Sequence, residues 1–102
     1  MSDEVRMHIE ELRGLGASFE TSADDLGRRL TAFRRWTDAE ALSAAFGSAE
    51  AARPYRELYE EAERALVLLR ERLAEVGDGI KETAARTQAA DDELAETIRR
   101  VR

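Results

Sequence analysis

The chain has 102 residues, enough for one domain or half of a larger assembly, and no cysteine, which excludes disulfides and thiolate-bound metals. Its formal net charge of -6 sets it against phosphate backbones and anionic lipid surfaces, so no nucleic acid is expected as a partner. One proline and an abundance of alanine, leucine, glutamate and arginine, which lose little rotamer freedom in a helix, predict an all-α fold.

The first predicted element is a long helix over about residues 3–36. Val5, Ile9, Leu12, Gly16, Phe19, Ala23, Leu26, Leu30 and Phe33 recur in steps of four and three, which draws one stripe along a helix and keeps it against a neighbour. Ser2 is the candidate N-cap, with Asp3 and Glu4 in the first turn, where the helix dipole favours negative charge.

A short helix or turn is predicted over about 37–48. Thr37-Asp38-Ala39-Glu40 reads as a capping box with Thr37 at N-cap, and Gly47 suits a left-handed stop after Phe46. Ser48 is a second candidate N-cap. Pro54 is comfortable at a first helical position and awkward six residues in, so the long second helix is expected to start between Ala49 and Pro54.

From there to about residue 100 the stripe resumes at Tyr55, Tyr59, Ala62, Leu66, Leu69, Leu73, Val76, Ile80, Thr83, Thr87, Ala90, Leu94, Thr97 and Val101. Gly77 and Gly79 each cost about 1 kcal/mol relative to alanine. The phase passes through them unbroken, which predicts one helix with a weak spot. A connection this short makes the two long helices antiparallel neighbours in a single helical-hairpin domain.

One stripe per helix satisfies a hairpin, yet Leu66-Val67-Leu68-Leu69 is apolar on most sides, and Leu58 and Ala65 widen the face. A helix apolar around most of its girth needs cover from more than one direction. Burying Val67 and Leu68 would each contribute roughly 1.5–3 kcal/mol. The expected cover is a second hairpin, homo- or heterodimeric, giving a four-helix bundle in which Leu58, Ala65, Leu66, Val67, Leu68, Leu69 and Leu73 meet the partner. The alternative is that the first helix shifts over and covers the patch alone.

Signals for catalysis are weak, and no enzyme, metal site or cofactor is expected. Glu10-Glu11, Asp24-Asp25, Glu60-Glu61 and Asp91-Asp92-Glu93 are sequence neighbours that point around a helix, so they read as solvated faces. His8 is the single histidine and reads as a surface residue. The serines have no base poised in sequence. Gly14, Gly16 and Gly27 follow no strand, as a phosphate cradle requires, and Gly16 suits close helix packing. Arg28-Arg29 and Arg34-Arg35 form a basic patch before Trp36, either a solvated face or a surface that meets a partner's acids. Trp36 and Phe46 beside the turn either close the hairpin by local packing or present a recognition surface.

The length, the two long helices and an aromatic-glycine turn together resemble the WXG family of type VII secretion substrates. Ala45-Phe46-Gly47 is similar to the Phe-Gly variant of the turn motif found among actinobacterial relatives, and Trp36 lies too early to be the motif tryptophan. Asp91, Leu94 and Ile98 match later positions of the family's tail signal, with Thr87 where the tyrosine would stand. The resemblance implies a hairpin made in the cytoplasm that pairs into a four-helix bundle and is exported folded by a membrane ATPase, without a cleavable signal peptide. The acidic start Met1-Ser2-Asp3-Glu4 is in keeping with that expectation, and no run is long enough for membrane insertion. With Thr87 in place, export would depend on a partner that carries the signal. The rival expectation is an intracellular helical adaptor or structural coiled-coil protein unrelated to secretion.

Overall fold

Three helices make up the protein in a computed structural model that describes residues 3–101: α1 (Asp3–Thr37), α2 (Ala39–Phe46) and α3 (Ala49–Val101). The fold is all-α. The Ser2 cap lies outside the described residues. Asp3 and Glu4 stand in the first turn of α1 and Arg34 and Arg35 in its last, so charge complements the helix dipole at both ends. Gly77 and Gly79 do not interrupt α3.

The chain divides into two compact units. A terminal unit gathers α1 as far as Thr21 and α3 from Leu73 onward, and a turn unit spans Ser22–Arg72.

In the terminal unit the two helix segments run antiparallel. Gly16 lies against Gly77 and Lys81, Glu20 bonds Lys81, and Arg13 donates to Gln88, so numbering falls in α3 as it rises in α1. The α1 side is the expected stripe, with Ile9 and Gly16 buried and Val5, Leu12 and Phe19 half-buried.

The α3 side departs from the expected stripe. Val76, Thr83, Thr87, Ala90, Leu94, Thr97 and Val101 are exposed, and the seam is Gly77, Ile80, Ala84, Gln88, Asp91 and Ala95 instead. Apart from Ile80, which belongs to both, the seam is shifted by one residue, beginning at Gly77. Its cause is the size of the side chains. A built Cβ on Gly77 would come within 3.0 Å of the Gly16 carbonyl oxygen, and one on Gly16 within 3.1 Å of that of Gly77. Only the small-residue face of α3 lets the backbones approach so closely, and many short-range dispersion contacts outweigh the greater apolar area of the valine-leucine face. Ala84 is fully buried as a result.

The turn unit is a helical hairpin closed by α2. Ala23, Leu30, Leu42 and Ala52 form its core, with Leu26, Phe33, Tyr59, Ala62 and Leu66 half-buried around them. Phe33 and Tyr59 meet edge to face, ring centroids 6.0 Å apart, the preferred quadrupolar arrangement. Arg34 bonds Glu63 across the two helices.

The caps that bound α2 differ in one respect from the capping-box reading. Asp38, not Thr37, is the N-cap: it is extended (φ -66°, ψ 161°) and its carboxylate accepts from the Ala41 N–H at 2.7 Å. Thr37 ends α1, its hydroxyl donating to the Phe33 carbonyl at 2.8 Å. Once that hydroxyl is engaged backwards along α1, the aspartate one residue on is the acceptor available to α2. Gly47 takes the left-handed stop (φ 91°), and Ser48 caps α3, its hydroxyl accepting from the Ala51 N–H at 3.1 Å. Pro54 falls inside α3 and has no N–H for the Glu50 carbonyl.

Candidate functional site

In the turn unit, Leu58, Leu68 and Leu69 of α3 are 59%, 50% and 49% exposed, and Ala65 is exposed beside them. At about 100° per residue, Leu58, Ala65 and Leu69 fall on one side of α3, roughly 80–90° round from the seam marked by Tyr59 and Leu66. Leu68 flanks this stripe on the side away from the seam. Leu66 belongs to the hairpin seam, and Val67 lies half-buried on the seam's opposite flank. The tetrad Leu66–Leu69 therefore splits, two residues serving the hairpin and two facing outward. Leu73, the first residue of the terminal unit's α3 segment, is half-buried.

The terminal unit carries a comparable face. Val76, Leu94, Ile98 and Val101 are exposed, and Thr83, Thr87 and Ala90 share their side of the helix. Each threonine hydroxyl there is already bonded one turn back: Thr83 donates to the Gly79 carbonyl at 3.0 Å and Thr87 to the Thr83 carbonyl at 2.8 Å. Bonding of that kind removes the hydroxyl's demand for water and leaves the methyl group for contact. Of the three tail residues, Leu94 and Ile98 lie together on this exposed face. Asp91 turns to the seam, half-buried, its Oδ2 shielded and without a hydrogen-bond partner.

At the turn, Phe46 stacks on Tyr55 with ring centroids 4.3 Å apart and planes 11° from parallel. The local-packing account therefore describes Phe46. It does not describe Trp36, which is 80% exposed. Sequence periodicity ends at Trp36, and no pattern there distinguished a packed indole from a solvated one.

Several of the described polar groups make ion pairs. An open groove of about 320 Å³ in the turn unit is lined by Arg34, Thr37, Asp38, Arg56, Glu60 and Glu63, and the Arg34–Glu63 pair lies within it. In the terminal unit the Lys81 ammonium bonds Glu20 at 2.6 Å and holds that carboxyl below its ordinary value, with a smaller contribution from Asp78. Among the described residues no three His, Asp or Glu side chains are grouped to hold a metal ion, and His8 is exposed. Nor, among them, is any helix long and apolar enough to cross a membrane.

Comparison with protein-family models, curated proteins and solved structures gave no match.

Proposed function

We propose that the chain works by pairing, through the outward apolar side of α3, with a second helical hairpin, its own copy or another protein, to form a four-helix bundle. The observation that carries this reading is the exposure of Leu58, Leu68 and Leu69 on one flank of a helix whose other flank already packs against α1. Burying each would contribute roughly 1.5–3 kcal/mol. A stable interface of about 1,200–2,000 Å² would have to extend well beyond these three side chains.

The pair is a type VII secretion-associated dimer, and this chain is the exported substrate or its chaperone-like half. Support comes from the Phe46-Gly47 turn, in which Gly47 is left-handed, and from Leu94 and Ile98 side by side on the tail. The protein is made in the cytoplasm and leaves without a cleavable signal peptide, through a membrane ATPase that acts on the folded pair. Thr87, in the place of the tyrosine, assigns the export signal to the partner. The same threonine favours a second reading, an intracellular adaptor with no part in secretion.

Light scattering of the purified chain, alone and co-expressed with the hairpin protein encoded nearest to it, tests the pairing. A monomer in both preparations, at every concentration, would refute it. Export is tested separately by deleting the type VII ATPase: unchanged appearance of the protein in culture medium would leave the adaptor reading standing.

A further inference from the structure

We propose that Trp36, Arg28 and Arg35 form a docking surface for an acidic segment of a partner protein that carries an apolar side chain, independent of the pairing face on α3. The surface lies on the outer side of α1 in the turn unit. At about 100° per residue, Arg28, Ala32 and Arg35 make one row roughly opposite buried Leu30, and Arg29 and Trp36 a second on the flank beside it. Ala32 is the small residue between the rows, which leaves room beside the indole for an incoming side chain.

Two properties set this surface apart from the rest of an acidic chain. The indole is 80% exposed, although an aromatic side chain of this kind can bury about 150–250 Å². Tryptophan and arginine are also the residue types that dominate binding energy in protein interfaces. The second property is charge. Leu26–Thr37 contains four arginines and no acid. Arg34 is taken up by Glu63, and Arg28 and Arg29 share the single carboxylate of Asp25, at 3.5 and 3.0 Å. Arg35 has no ion-pair partner among the described residues. Arg28, Arg29 and Arg35 against the two carboxylates that adjoin them, Asp25 and the exposed Asp24 one turn before Arg28, leave a local excess of positive charge on a molecule whose net charge is -6.

That contrast selects the occupant. A nucleic acid or an anionic bilayer extends far beyond the patch and meets the repulsion of the whole chain. A short acidic segment stays within the patch's own field, which reaches about 8 Å at physiological salt. Its carboxylates pair with Arg28 and Arg35, bidentate geometry being available to each guanidinium. An apolar residue between those carboxylates covers the indole.

Trp36 is the single tryptophan, so its emission reports the site directly. The probes are a peptide repeating Glu-Glu-Leu-Glu, its Leu→Ser counterpart, vesicles of phosphatidylserine in phosphatidylcholine, and single-stranded DNA. The leucine peptide is expected to move the emission to shorter wavelength, saturably, and to lose its effect at about 1 M salt, where screening shortens to about 3 Å. Anisotropy of the labelled peptide should show Arg35→Glu and Trp36→Ala each weakening binding by about tenfold or more. Both residues are exposed, so an unchanged circular dichroism spectrum accompanies either loss. No saturable shift up to about 1 mM peptide, equal binding of the serine peptide, indifference to Arg35→Glu, or a preference for vesicles or DNA would each overturn the proposal.

Discussion

Gly16 and Gly77 face one another across the terminal unit with their backbones so close that neither position admits a side chain without movement. A Cβ on Gly16 would meet the Lys81 Cγ at 2.8 Å and the Gly77 carbonyl oxygen at 3.1 Å, and one on Gly77 the Gly16 carbonyl oxygen at 3.0 Å; the lysine side chain can move, but a carbonyl within a helix cannot swing aside. Gly14 and Gly79 lie on the same two helices with nothing within 4 Å of an added Cβ. Substitution, by alanine at the open pair and leucine at the close pair, should therefore separate the two by sign. Gly79→Ala and Gly14→Ala gain up to about 1 kcal/mol from helix propensity. Gly77→Leu and Gly16→Leu overpack the seam and lose about 1–3 kcal/mol or more. Urea melts of the four variants check this, and equal gains at all four glycines would remove the close approach as the cause of the α3 phase shift.

That phase shift also marks where the fold could be read from sequence. The α1 stripe was legible from Val5 to Phe33 because its seam residues are mostly the large apolar ones that periodicity detects. In the terminal part of α3 the seam is Gly77, Ala84, Gln88 and Asp91, which carry little apolar signal, while Val76, Leu94 and Ile98 supply a strong one on another face. Gly16 read correctly as a close-packing residue. Gly77 read only as a weak spot, although a glycine on each of two antiparallel helices was the available clue. In the turn unit Leu58 and Leu68 were legible as surplus apolar surface and Leu66 as a seam residue, but the stripe also placed Leu69 in the seam, where it is 49% exposed, and one tetrad could not reveal that Val67 is half-buried. The solvated indole of Trp36 had no signature in sequence at all.

Outward leucines and core leucines should respond differently to substitution. Leu58→Glu and Leu69→Glu place charge on surface that is already about half exposed, so the thermal midpoint of the dilute chain should barely move. Association with the second hairpin should fall by at least about tenfold for each. Leu30→Ala, at a position 3% exposed, should instead cost about 2–5 kcal/mol of stability. Light scattering and melts on the same three proteins test the distinction. Association that survives both glutamates would move the interface elsewhere.

The cap of α2 makes a discriminating pair. Asp38 accepts the Ala41 N–H, whereas the Thr37 hydroxyl is spent on the Phe33 carbonyl within α1. Asp38→Ala should cost about 1 kcal/mol, with hydrogen exchange quickened over Ala39–Phe46. Thr37→Ala should leave that exchange unchanged. The opposite ranking would restore Thr37 as the cap.

Asp91 is a second test of the seam, from the polar side. Its Oδ2 is shielded and finds no hydrogen-bond partner, and a shielded polar atom without a partner costs about 1–3 kcal/mol. Asp91→Leu should therefore raise stability by on the order of 1 kcal/mol, with slower hydrogen exchange near Ile9 and Ala84, the most deeply buried side chains of the terminal unit. Asp92→Leu, at an exposed position one residue on, should bring no such gain. A loss of stability on Asp91→Leu would show that the carboxylate is solvated or paired and not a liability in the seam.

Lys81 and Glu20 give the terminal unit a defined response to acid. The hydrogen bond from the Lys81 ammonium, reinforced by its charge, holds the Glu20 carboxyl below its ordinary value of 4.5. In the folded chain Glu20 thus releases its proton at a lower pH than in the unfolded chain, so between the two values the unfolded state binds more protons and stability rises with pH. The contribution is fully present above 4.5 and is lost as pH falls through the lowered folded value. Both side chains are substantially solvated, so the effect should shrink as salt is raised. A carbon-detected NMR titration should place Glu20 below 4.5, and Lys81→Met should raise it back toward that value. A titration in which Lys81→Met leaves Glu20 unmoved would mean that the pair seen at 2.6 Å does not persist in solution.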